Sequence, residues 1–172
     1  VEAIGFVGFG EAAFHIAKGL RGAGVPNVVA FDINTHTPKL GDLIRARAAE
    51  TKTHLVDSNS AVAAACEVIF SAVTADQALM AAQQTAPHLV PEHCYADLNS
   101  VSPQMKQRIG CAISASGARF VEAAMMGPVP PHSHKVSMLL GGAAAPAFLE
   151  LLRLSGFEWK WSRQTRSDAP RR

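Results

Sequence analysis

Two glycines, an alanine and an aspartate carry the chemistry in this sequence: Gly8, Gly10, Ala13 and Asp32. They lie in AIGFVGFGEAAFHIAKGLRGAGVPNVVAFD, residues 3 to 32. A short apolar run, Ile4 to Val7, enters the turn Gly8-Phe9-Gly10. A helical pattern follows, and a second apolar run, Val28 to Phe31, ends on Asp32. The result is G-x-G-x-x-A between strand and helix, with an acid 22 positions after Gly10. Gly8 permits a tight turn, Gly10 lets backbone approach a pyrophosphate, and Ala13 lets the helix pack close to the strand. The helix N-terminus, from Glu11 and Ala12 onward, offers free N–H groups and partial positive charge to phosphates. Asp32 is placed to accept hydrogen bonds from ribose hydroxyls. Glycine turns also occur where a strand merely meets a helix, but here every part of the fingerprint follows in order, which favours dinucleotide binding.

The elements that must hold these residues alternate between short β-like runs and helical stretches, the pattern of a parallel sheet covered on both faces. The first helix lines up Ala13, Ile16, Ala17 and Leu20 and ends at Gly22 and Gly24, leaving Phe14 and His15 on its outer side. Thr37-Pro38 opens a second helix running through Ala49, with Pro38 at the tolerated first position. A strand at His54 to Val56 precedes a helix at Ala61 to Cys66. Val68 to Val73 is a continuous apolar run, as expected of a central strand. Thr74-Ala75-Asp76-Gln77 matches a capping box, so a helix is expected at once. Cys94 to Leu98 and Phe120 to Met126 read as strands, with a helix capped by Ser102-Pro103 and running to about Ser116 between them. Ser137 to Leu140, a helix from Pro146 to Leu154, and Phe157 to Trp161 complete the ordered part. Right-handed crossovers make this an α/β, Rossmann-type doubly wound, mostly parallel sheet with helices on both faces. No internal repeat is present.

The 172 residues, 48% hydrophobic, suffice for one core. Setting aside the last ten residues, which hold Arg163, Arg166, Asp168, Arg171 and Arg172, leaves 12 basic and 13 acidic residues. The body is thus nearly neutral, and with no basic stripe and 6% aromatic residues it does not read as a nucleic-acid surface. Residues 1–162 are read as one dinucleotide-binding domain and residues 163–172 as a disordered basic tail. Cys66, Cys94 and Cys111 lack metal-ligand spacing and read as small buried hydrophobes in a reducing compartment. No apolar run approaches membrane-spanning length and the text opens directly on a strand, so a cytoplasmic protein without a leader is expected.

In doubly wound folds ligands bind outside the carboxyl ends of the strands. Three further segments arrive there: Ala72-Val73-Thr74, Asn99-Ser100 and Met126-Gly127-Pro128. Thr74 is a helix cap with an additional ribose contact open to it. Asn99 and Ser100 suit a turn, and also suit hydrogen bonds to a nicotinamide carboxamide or a substrate oxygen. His132, His134 and Lys135 form a loop able to receive an anionic group; a metal there is not expected.

Together these segments resemble the β-hydroxyacid dehydrogenase superfamily, which includes the 3-hydroxyisobutyrate and 6-phosphogluconate dehydrogenases. IGFVGFGEAAFHIAKGL is similar to that family's I-G-F-I-G-L-G-x-M-G-x-x-M-A-x-x-L opening, with Ala12-Ala13 in place of Met-Gly. DLNSVSP at Asp97 to Pro103 is similar to D-x-S-T-x-x-P, and Asn99-Ser100 matches the Asn-Ser of the 6-phosphogluconate enzymes. FVEAAMMGPVPPHSHKVSMLLGG at Phe120 to Gly142 is similar to F-x-D-A-P-V-S-G-G … G-x-L-x-x-x-x-G-G. The branch resembled most is 6-phosphogluconate-dehydrogenase-like with a C-terminal domain of unknown function, over about residues 3 to 158. The resemblance implies an NAD(P)-dependent oxidoreductase of hydroxy acids. It implies cofactor contacts at Gly8, Phe9, Gly10, Glu11, Ala12, Ala13, Asp32, Val73, Thr74 and Asn99, and substrate contacts at Ser100, Met126 and Gly127.

Two departures follow. Met126-Gly127-Pro128 stands where the family has Ser-Gly-Gly, implied to hold a substrate carboxylate; Met126 has no comparable donor and Pro128 no N–H. The family's catalytic lysine, in a K-x-x-N-like context, belongs to an all-helical second domain. None of Lys18, Lys39, Lys52, Lys106, Lys135 and Lys160 has that context. The expectation is therefore the cofactor half of an incomplete enzyme, with no catalytic residue in this chain and an exposed apolar face prone to self-association. A non-catalytic cofactor module and an imine or pyrroline-carboxylate reductase are the alternatives. Asp32, with no arginine in the next ten residues and only Lys39 near in sequence, favours NAD over NADP.

Overall fold

Inward-facing residues alternate along the strands and so divide the apolar side chains between two layers. The computed structural model describes residues 1–153 and the backbone of residues 160 and 161. Its elements run β1 (Ala3–Val7), α1 (Glu11–Gly22), β2 (Asn27–Phe31), α2 (Leu40–Thr51), β3 (His54–Leu55), α3 (Asn59–Ala65), β4 (Val68–Ser71), α4 (Ala78–Thr85), β5 (Cys94–Asp97), α5 (Pro103–Ser114), β6 (Arg119–Met125), α6 (Val129–His132), β7 (Met138–Gly141), α7 (Ala145–Arg153) and β8 (Lys160–Trp161). The sheet order is β3-β2-β1-β4-β5-β6-β7-β8. Every pair is parallel except β6 with β7. The expected doubly wound sheet is present, and its strand order reverses beside β1.

One core layer joins Ile4, Phe6, Phe70, Ala96 and Val121 of the sheet to Ala13, Ile16, Ala17 and Leu20 of α1, Ile44 of α2 and Phe148 of α7. The other joins Val7, Ile69 and Tyr95 to Val62 of α3, Ala78 and Ala82 of α4, and Ile109 and Ile113 of α5. The α1 face matches the one expected from sequence. Phe6 lies 5.4 Å from Phe70 and 6.1 Å from Phe9, and Phe70 packs edge-on against Phe148 at 6.0 Å. This aromatic run ties the two central strands to α7.

Several boundaries differ from the sequence reading. α2 begins at Leu40, not at Thr37-Pro38. The preceding residues close on themselves instead: the Thr35 hydroxyl donates to the Asp32 carbonyl, the Thr37 hydroxyl to the Asn34 carbonyl, and Lys39 has φ 63°. Short polar side chains that bond nearby backbone compete with a helix in this way. α4 begins at Ala78 with no side-chain cap, so Thr74 caps nothing. The Gln77 N–H turns back to the Thr74 carbonyl, and the Thr74 hydroxyl holds the Asp76 carboxyl below its ordinary range. The Ser102 cap is present, accepting from the Met105 N–H at 3.2 Å. Cys66 and Cys94 are buried, but Cys111 on α5 is exposed, contrary to expectation. Leu154, residues 157–159 and residues 163–172 lie outside the described residues. Among those described, no helix is long and apolar enough to cross a membrane.

Candidate functional site

The carboxyl ends of β1, β2, β4 and β5 surround a cleft of about 570 Å³, within the usual size of ligand sites. Gly8, Gly10, Glu11, Ala12, Asp32, Val73, Thr74, Asn99 and Ser100 all line it. Gly8 has φ +87°, and a Cβ there would lie 2.4 Å from the Ala72 carbonyl oxygen, so only glycine fits. Its N–H donates to the Phe31 carbonyl at 2.8 Å, tying the turn to β2. A Cβ on Gly10 would meet nothing within 4 Å, so open space stands in front of the helix. No side chain caps α1, so the first-turn N–H groups keep no intrahelical acceptor.

Asp32 joins the turn to this end of the cleft. Its Oδ2 accepts from the Phe9 N–H at 2.8 Å and its Oδ1 from the Asn34 N–H at 2.8 Å. Each carboxylate oxygen can take more than one donor, so capacity for hydroxyl groups remains. Phe9 and Ala13 are completely buried and absent from the cleft wall. Phe9 therefore contributes through its backbone, and Ala13 through packing.

At the opposite end Asn99 is 5% exposed and its amide is already committed. Nδ2 donates to Ser71 Oγ at 3.0 Å and to Asp97 Oδ1 at 2.5 Å, while Oδ1 accepts from the Val73 N–H at 2.8 Å. Both of its N–H donors are thus used within the protein, and Oδ1 keeps one lone pair. Met126 and Gly127 are exposed and line no part of the cleft; Met125 does. The strand ends at Met125, and one further bond to the neighbouring strand's side follows, from the Met126 N–H to the Ser137 carbonyl at 2.8 Å. His134 is buried beside Gly19 of α1, whose added Cβ would collide with its ring, and His132 and Lys135 are likewise off the cleft wall. The loop expected to receive an anion therefore does not face the site. Among the described residues no cluster of three or more His, Cys, Asp or Glu could hold a metal.

Two residues escaped the sequence reading. Arg47 of α2 lines the Asp32 end of the cleft, its guanidinium 5.7 Å from the Phe14 ring centre. It lies beyond the ten-residue window after Asp32, and only the packing of α2 brings it back. Lys106 of α5 is buried and donates to Asp97 Oδ2 at 2.5 Å and to the Asp97 carbonyl at 2.9 Å. Its one sequence signal is a lysine on the apolar face that also holds Ile109 and Ile113.

A glycine turn opening onto an uncapped helix, an acid at the tip of the next strand and a cleft at the sheet's reversal point define a dinucleotide-binding domain. Over residues 3–152 the sequence matches the family described as the NAD binding domain of 6-phosphogluconate dehydrogenase, and the chain belongs to that family. A conserved hypothetical protein from Sinorhizobium meliloti 1021 is 36% identical with TM-score 0.87, over 93% of this chain and 53% of that one. Conserved protein MTH1747, of unknown function and described as structurally similar to 3-hydroxyacid dehydrogenases, is 30% identical with TM-score 0.79, over 93% and 57% of the two chains. An imine reductase from Myxococcus stipitatus in complex with NADP+ shares the fold at 16% identity, TM-score 0.74, over 93% and 54%. The chain thus spans just over half the length of these proteins. No curated protein matches it.

Proposed function

We propose that this domain is the cofactor half of an enzyme that moves hydride between a nicotinamide and a hydroxy acid. The observation that carries the reading is the single cleft shared by the glycine turn, the uncapped N-terminus of α1 and Asp32. The residues suit the cofactor: Gly10 leaves room for phosphates, and the N–H groups of Glu11, Ala12 and Ala13 point a partial positive charge at them. Asp32 receives the ribose hydroxyls, and Val73, Thr74 and Ser100 form the wall toward the reacting end. A bound nicotinamide supplies the hydride chemistry.

NAD is the preferred form in this reading. A 2′-phosphate would meet the Asp32 carboxylate, and like charges at hydrogen-bonding range repel. Arg47, at the same end, offsets part of that repulsion. Among the described residues no lysine side chain lines the cleft, and Lys106 is tied to Asp97. The proton carrier for a hydroxyl group is therefore assigned to residues outside the described cleft, along with most substrate contacts. Met126 and Gly127, exposed next to Met125, stand where a substrate-bearing domain would approach. Three free cysteines suit a reducing, cytoplasmic compartment.

Calorimetric titration of the purified chain with NAD+ and NADP+ tests the reading. Saturable binding of both with NAD+ the tighter is expected, and no binding of either would overturn it.

A further inference from the structure

Beneath the β4 and β5 tips lies a charged network that the proposed chemistry does not use. Lys106, Asp97, Asn99 and Ser71 are each 5% exposed or less. The ladder between the two strands stops where the Leu98 N–H meets the Ser71 carbonyl at 3.0 Å. Past that rung the tips are joined by side chains. Asn99 holds Ser71 and Asp97 with its NH2 group and the Val73 N–H with its oxygen.

The orientation of that amide depends on charge. Reversed, it would set its oxygen against the Asp97 carboxylate and its NH2 against the Val73 N–H, losing both contacts. Lys106 bonds the other carboxylate oxygen and the carbonyl of the same residue, so the carboxylate is held with Oδ1 toward Asn99. A buried ion pair adds little net stability over apolar residues of similar volume. What this one does supply is direction, passed from Lys106 through Asp97 and Asn99 to the Val73 backbone.

We infer that the Lys106–Asp97 pair positions the wall of the cleft at the end away from Asp32, and so sets affinity for the whole dinucleotide without affecting its adenosine half. The inference rests on the cofactor reading above. The strand order supports the separation: Asp32 follows β2 and Asn99 follows β5, three strand spacings or about 14 Å apart. Lys106 and Asp97 are positioning residues, since neither lines the cleft.

The test uses the full chain and two double variants, with NAD+ and AMP as ligands in calorimetry. Asp97→Leu with Lys106→Met removes both charges and the acceptor for Asn99. Asp97→Asn with Lys106→Met removes both charges but keeps an oxygen acceptor. The first should weaken NAD+ about tenfold, the worth of one buried hydrogen bond, and leave AMP within twofold. The second should restore most of the NAD+ affinity. A role confined to stability would lower the melting temperature and leave the NAD+ to AMP affinity ratio unchanged in both, which overturns the inference.

Hydrogen exchange at the Val73 amide of the parent gives a measurement that no folding failure can obscure. Slow exchange is expected, and exchange at the rate of an open loop overturns the brace. Failure of the parent to bind NAD+ would instead sink the cofactor reading itself.

Discussion

The two glycines of the turn should fail in opposite ways, and the contrast separates ligand binding from folding. Gly10 sits at φ −76° and ψ −162°, extended backbone open to any residue, and its added Cβ would meet nothing within 4 Å. Gly10→Asp should therefore fold with stability within about 0.5 kcal/mol of the parent, as for a surface change. In the complex its carboxylate would lie roughly 5 Å from a pyrophosphate charge. At an effective dielectric of about 20 that repulsion is about 3 kcal/mol, or on the order of 200-fold in affinity, before any steric loss. Gly8→Ala makes the opposite case, with φ +87° and a Cβ 2.4 Å from the Ala72 carbonyl oxygen. Strain of this kind costs roughly 1–3 kcal/mol, a fall of about 2–12 °C in melting temperature at 2–4 °C per kcal/mol for a chain of this size. Thermal melts with and without NAD+, and calorimetry on each variant, read both quantities. If folded Gly10→Asp binds NAD+ as tightly as the parent, the turn is only structural and the cleft assignment fails.

Asp32→Ala should raise NADP+ affinity relative to NAD+, because it removes the carboxylate but keeps Arg47; tighter NADP+ binding by the parent would refute the role given to Asp32. Loss of a positioned general acid or base costs about 10² to 10⁴ in rate, so the chain alone should show little nicotinamide reduction across a panel of hydroxy acids or oxidation of the reduced cofactor by cyclic imines. Saturable turnover would show that a proton carrier had been overlooked. A thiol reagent near pH 8 should label Cys111 at once and Cys66 and Cys94 only on unfolding, since burial pushes both buried thiols up to about 12. Their folded values lie above the ordinary 9.0, so their contribution to stability is intact below about pH 9 and is lost as pH rises from there toward 12. Alkaline melts check the sign, and a melting temperature that rises over that window would contradict it.

The most legible part of the sequence is the part whose structure is local. From β1 through the turn, α1 and β2 to Asp32, each piece is fixed by neighbours within a few residues, and the buried face of α1 follows from helical spacing alone. The cap at Ser102 is local too. What escaped is set by groups distant in sequence. Arg47 reaches the cleft through the packing of α2, and Lys106 finds Asp97 only once α5 packs against the sheet beside β6. The partners of the Asn99 amide are not visible locally, because Ser71 ends another strand and Val73 lies just past it, 28 and 26 residues away. α2 and α4 start later than their sequences suggest because Thr35 and Thr37 spend their hydroxyls on turn carbonyls and Thr74 spends its hydroxyl on the Asp76 carboxyl, although the same residue types begin helices elsewhere. Cys111 read as buried because composition favours buried cysteines and gives no helical face.

The grip of Asp32 on Phe9 and Asn34 exists before any ligand arrives. Folding has already removed the rotational freedom of that carboxylate and aligned the turn beside it. Association then escapes an ordering penalty of roughly 0.5–1.5 kcal/mol for such a side chain. The Asp32 end of the cleft is in this sense a preformed template, and a ligand meets it in its final shape.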